Sequence, residues 1–238
     1  MTRSRWVGWT GPGPALTGLA LAGVTGCLAL TIYYLAEHPS YGRVGQAVAV
    51  SLPPVTAVVL AVTLAGCLAV ALRPPRWLRP DRKARWFGIA MTIALVGGFL
   101  LDARLVQPDL DPGSHGMMDY LLSGPLLVIL PGSALAAAVG RSFRSGLWAC
   151  AWAVVLTAPL LITAWLAEAL HWDQVGRGAV LDGAGPMGVG ANLGDAVWWP
   201  LLFLALWALP LGVLGAAAGS WRARRRRTRQ QATLVPAA

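Results

Sequence analysis

Residues 73–85 read RPPRWLRPDRKAR: six of these thirteen residues are basic, and Asp81 is the only acid. The stretch sits between long uncharged apolar runs, so it behaves as a charged hinge between two membrane-type segments rather than as a patch on a soluble surface. Soluble domains carry roughly a quarter of their residues as Asp, Glu, Lys or Arg. This chain of 238 residues carries 12%, is 56% hydrophobic and has a mean hydropathy of +0.60. Charges this sparse, bunched between apolar runs, belong to an integral membrane protein.

Working outward from that hinge, the sequence predicts an all-α polytopic membrane protein with six transmembrane helices. The expected spans are 14–36, 47–72, 86–106, 119–140, 147–170 and 196–219. At ~1.5 Å of rise per residue each run is long enough for a hydrocarbon core of ~30 Å, with the shorter ones needing its ends to be met by polar anchors. They form one transmembrane domain, 14–219, between an N-terminal segment, 1–13, and a basic tail, 220–238. The first span follows Arg3 and Arg5, and Val24-Thr25-Gly26-Cys27 matches a lipoprotein cleavage box. The residues after Cys27 stay apolar, so the run is read as a span and not as a leader.

The charges test this topology. Sixteen of the nineteen basic residues fall in the first, third, fifth and last connecting segments or tails, which alternation places on one side. Nine of the ten acids fall on the other. The positive-inside rule makes the basic side cytoplasmic, with both termini there. Trp86, Trp148, Trp172, Trp198, Trp199 and Trp221 stand at span ends, as interfacial anchors do. The net charge of +9 therefore reports orientation and does not point to a nucleic acid. Arg73, Arg76, Arg79, Arg82, Lys83 and Arg85, with Arg224, Arg225, Arg226 and Arg227, are the expected contacts for anionic lipid head groups or a cytoplasmic protein partner. Arg-, Ala-, Gly- and Trp-rich usage suits a GC-rich bacterial genome, hence a bacterial plasma membrane.

Small residues set expectations for helix packing. Ala57, Ala61, Ala65 and Ala69 recur every fourth residue, as do Gly18, Ala22 and Gly26, and such stripes let helices approach closely. LPGSALAAAVG at 130–140 echoes LPLGVLGAAAG at 209–219 at six of eleven positions, although Leu, Ala and Gly dominate any such helix. Cys27, Cys67 and Cys150 fall inside spans and read as buried structural thiols.

Chemistry, if present, is expected on the acidic side. Span interiors hold no ionisable residue near their midpoints, which argues against a midplane proton pathway. His38, His115 and His171 all fall outward, with Glu37, Asp119 and Glu168 one to four residues away. Asp102, His115, Asp119, Glu168 and His171 form the candidate catalytic cluster, and His115, Asp119, Glu168 and His171 the candidate Zn²⁺ ligands. The plain alternative is polar residues at a water interface. Gly183, Gly185 and Gly188 stand in G-x-G-x-x-G order, but they follow a span rather than a strand and make no dinucleotide site. Asn192 or Asp195 is expected to cap the sixth helix.

Six spans with both ends inside share an outline with permease subunits of ATP-driven exporters, with no motif behind the likeness. The favoured reading is a non-enzymatic permease-like subunit or signalling accessory. The alternative is a membrane enzyme or metal-binding protein with an outward His/carboxylate site.

Overall fold

A computed structural model describes residues 13–37, 54–78, 81–106, 116–174 and 188–234. Among these the chain is all-helical, with six helices long and apolar enough to cross a membrane. The helices are α1 (Gly13–Glu37), α2 (Pro54–Leu72), α3 (Arg82–Leu101), α4 (Gly116–Gly140), α5 (Phe143–Gln174), α6 (Gly188–Phe203) and α7 (Leu209–Leu234). A π-turn at Asp102–Val106 extends α3, and a second at Leu204–Ala208 joins α6 to α7 into one long element.

The boundaries follow local chemistry. Asp81 starts α3 four residues earlier than the apolar pattern suggests, because Oδ1 accepts from the backbone N–H of Lys83 at 2.9 Å and of Ala84 at 3.3 Å. Its Oδ2 accepts from the Ser145 hydroxyl, which pins the start of α3 to the start of α5. The segment from Arg73 to Leu78 is anchored as well. A short 3₁₀ turn, Arg76–Leu78, drives Leu78 into the core beside Leu16, Ala71 and Trp152. At the end of α4, Arg141 takes a left-handed backbone, φ 53°. Arg141 N–H then donates to Ala138 O at 3.3 Å and Ser142 N–H to Ala137 O at 3.0 Å, so the last carbonyls are satisfied. That two-residue turn is shorter than the loop expected across 141–146, and α5 begins at Phe143.

Helix α5 is the axis of the bundle. It touches every other helix, and 61% of its apolar stretch is buried, against 22–39% for the other five spans. Its neighbours α1 and α3 run parallel to it. Gly23 lies against Pro159 and Leu160, and Gly26 against Thr163, on the α1 side. On the α3 side the register is tied by Asp81 to Ser145, by Thr92 Oγ1 donating to Ala153 O at 3.3 Å, and by Thr157 Oγ1 donating to Thr92 Oγ1 at 3.2 Å. Thr163 Oγ1 is shared between Gly23 O at 2.9 Å and Pro159 O at 2.7 Å. Thr92, Thr157, Thr163 and Ser145 thus spend hydrogen bonds on neighbouring helices, which offsets the cost of burying a polar group.

The two echo segments pack along each other in parallel. Gly215 of α7 faces the Leu130 carbonyl of α4, and Gly219 faces the Ala134 carbonyl, so backbones meet without intervening side chains. Gly146 of α5 lies against Ala216 and Ser133 O at the same junction. Where the π-turn at Leu204–Ala208 loosens the regular ladder, Cys150 Sγ donates to Ala208 O at 3.2 Å.

Three expectations change. Ala61, Ala65 and Ala69 of α2 are exposed, while Thr56, Leu60 and Leu64 face the bundle. Gly18 and Ala22 of α1 are exposed too, and the close approach runs through Gly23 and Gly26 instead. Asp195 does not cap α6, which begins at Gly188; it lies within the helix and accepts from Trp199 Nε1 at 3.0 Å. Cys27 and Cys150 are buried and Cys67 is only half-buried.

Three outcomes follow from these contacts and from the space around them. Gly219→Ala places a methyl on the Ala134 carbonyl and should cost about 1–3 kcal/mol. Gly66→Ala, at a position with open space around it, should leave the melting temperature in detergent unchanged or higher. Asp81→Ala removes the α3 cap and the acceptor for Ser145, and a loss of about 1–2 kcal/mol is expected in the same assay.

Candidate functional site

The end of the bundle opposite the Arg73–Arg82 connection gathers the polar side chains. Glu168 lies in the penultimate turn of the apolar part of α5, and its side chain is only 2% exposed. A carboxylate that deep needs a partner, and Arg104 supplies one: its Nε donates to Glu168 Oε1 at 2.9 Å. Arg104 stands on the π-turn at the end of α3, and its own side chain is 51% exposed. An extra residue per turn there re-aims the side chains beyond Leu101, and one of them, Arg104, meets Glu168.

Glu168 Oε2 has no hydrogen-bond partner. Three residues earlier on the same face, the Trp165 indole N–H is also buried and unpartnered. Trp165 stacks on Phe99 with ring centroids 5.6 Å apart, and Phe99 meets Tyr120 edge-on at 6.1 Å. Tyr120 donates its hydroxyl to Leu95 O at 2.5 Å, closing the aromatic floor against α3. Gly98 and Gly124 lie directly against the Tyr120 ring, which explains why this aromatic fits between α3 and α4.

The residues singled out in the sequence fare differently. Asp102 is half-buried at the head of the π-turn and is engaged within the chain. His171 is half-buried in the last turns of α5, three residues beyond Glu168 and on its face. Asp119 belongs to the first turn of α4, but its side chain is outside the described residues, as are His38 and His115. Among the described residues no three His, Cys, Asp or Glu side chains form a group able to hold a metal ion. Arg104, which no local motif marks, is the residue that the sequence reading missed. Its partner lies 64 positions away, too far for any helical spacing to reveal.

At the opposite end, Arg73, Arg76, Arg82, Lys83, Arg141, Arg144, Arg222, Arg224 and Arg225 are exposed and Arg85 is half-buried. The Arg225 guanidinium lies 3.6 Å from the centroid of the Trp221 ring. Arg79 is outside the described residues, as are the side chains of Arg226 and Arg227. No family model, curated protein or solved structure matches this chain.

The ion pair makes an asymmetric prediction. Arg104→Gln leaves a buried carboxylate without its cation and should destabilise the protein by about 1–3 kcal/mol, discounted from the fully buried case because Arg104 is half-exposed. Glu168→Gln releases a guanidinium that water can reach and should cost less. Thermal unfolding in detergent of both single variants and the double variant reads the difference. Equal losses would mean that the pair is not what holds α3 to α5 at this end.

Proposed function

We propose that the six apolar helices cross a bacterial plasma membrane, with both termini in the cytoplasm. We further infer that the protein acts there without catalysing a reaction, as a permease-like subunit or signalling accessory that works through a cytoplasmic partner. One observation carries the reading: the Arg104–Glu168 pair. The deepest carboxylate at the acidic end is held by a guanidinium from a neighbouring span, so it works as a latch between two helices. A latch across helices suits a protein that changes shape. The interruption of the sixth span by a π-turn at Leu204–Ala208 supports the same view, since irregular turns inside membrane helices recur where helices move or line a path. The exposed arginines at the basic end provide the surface for the partner and for anionic head groups.

A second reading keeps one specific observation in its favour. Glu168 Oε2 lacks a partner, and His171 follows on the same face, which is the seed of a metal or acid/base site at the outer face, with Zn²⁺ as the metal.

One set of experiments separates the two. Reporters fused after Ala238 and within 107–115 read orientation, with the first expected inside and the second outside. Replacing Arg73, Arg76, Arg82 and Lys83 by Gln, with reporter orientation preserved, should release a protein that co-purifies stoichiometrically with the wild type from native membranes. The partner reading fails if the wild type purifies alone and binds zinc that His171→Ala and Glu168→Gln abolish.

A further inference from the structure

A cavity of about 680 Å³ opens at the basic end of the bundle, where α1, α2, α3 and α5 meet. Leu16, Leu21, Ala71 and Leu72 supply much of its wall, with Gly13, Pro14 and Pro74 at the mouth. Its size falls within the ~300–1,000 Å³ typical of ligand pockets. Three polar side chains, those of Thr17, Arg85 and Trp152, break the apolar lining. Arg85, in the first turn of α3, brings a guanidinium to the wall. Trp152 of α5 also lines it; the residue is 1% exposed, and its indole N–H has no hydrogen-bond acceptor.

We propose that this cavity is a binding site for one phospholipid with an anionic head group. The chemistry is complementary at each part of such a molecule. The phosphate meets Arg85, whose five N–H donors leave capacity beyond the contact it makes within the chain. The acyl chain runs along Leu16, Leu21 and Leu72, which give it an apolar wall. Basic pockets between membrane helices at the cytoplasmic side hold acidic lipids for these reasons. The site is distinct from the exposed arginines of α7, which offer charge without a concave apolar wall. It rests on the six apolar helices and stands whether or not a protein partner exists.

Lipid retention by the full chain in mild detergent, read by native mass spectrometry after exposure to phosphatidylglycerol or phosphatidylethanolamine, tests the proposal. The wild type should retain one phosphatidylglycerol in preference to phosphatidylethanolamine, and millimolar inorganic phosphate should not displace it. Arg85→Gln should weaken retention about fivefold, the effect expected of one cationic side chain near a phosphate. Gly18→Phe fills the cavity from a position with no neighbour around its Cβ and should abolish retention while the chain stays folded. It decides the matter should Arg85→Gln fail to fold. Equal retention of the two lipids, displacement by phosphate, or wild-type retention by Gly18→Phe would overturn the proposal. So would a wild type that holds no lipid until residues 2–10 are deleted, since the chain's own N-terminal segment would then be the occupant.

Discussion

Helix α5 has to be covered by protein on nearly its whole circumference, and the rest of the bundle is arranged to meet that demand. It carries two large indoles, Trp152 and Trp165, that are fully buried. Space for them comes from the neighbours: Gly88 of α3 sits directly against the Trp152 Cβ, and Gly23 and Gly26 of α1 let that helix close on Pro159, Leu160 and Thr163. On helices apolar on every face, burial alone selects no particular contact, so the packing depends on fit and on hydrogen bonds. Thr92, Thr157, Thr163 and Cys150 act accordingly, each tying α5 or its partner to a carbonyl or hydroxyl on another helix.

The two ends of α5 are fixed to the two ends of α3 by polar contacts of opposite design. At the basic end an acid from α3, Asp81, takes a hydroxyl from α5, Ser145, while also capping its own helix. At the acidic end an acid from α5, Glu168, takes a guanidinium from α3, Arg104. Both pairs span 64 positions, so the two helices hold one register from end to end. The second pair is the weaker tether, because half of Arg104 is open to its surroundings and one oxygen of Glu168 is uncommitted. Any opening of this pair of helices would start there.

The number of long apolar helices was legible because length and apolarity are one-dimensional properties of the chain, and charge asymmetry added an expected orientation; their ends were less so, since α5 begins at Phe143 and α6 at Gly188. Which face of each span meets protein was not legible, for a physical reason. In a membrane-type helix both faces are apolar, so Ala61 and Ala65 on the open side of α2 look no different from Leu60 and Leu64 on the packed side. The Gly215 and Gly219 pair shows the same difficulty from the other direction. The echo of its segment with 130–140 was visible, while the backbone contact between the two was not. Of the candidate site, Glu168 stood out because a lone acid in an apolar run is costly to bury. Arg104 did not, since a π-turn brings it into place and nothing local encodes that partnership.

The helix that follows the π-turn at Leu204–Ala208 runs without a break from Leu209 to Leu234. Its 26 residues make a rod about 39 Å long. A rod has no slack: a pivot of about 10° at its upper end would sweep its far end through roughly 7 Å, given that length. Its upper part is clamped backbone to backbone against α4, so the arginine-bearing end can swing only if α4 swings with it or the clamp slips. The glycine contact between α4 and α7 is therefore a mechanical element as well as a packing one. It makes the position of the basic end a readout of the geometry deep within the bundle.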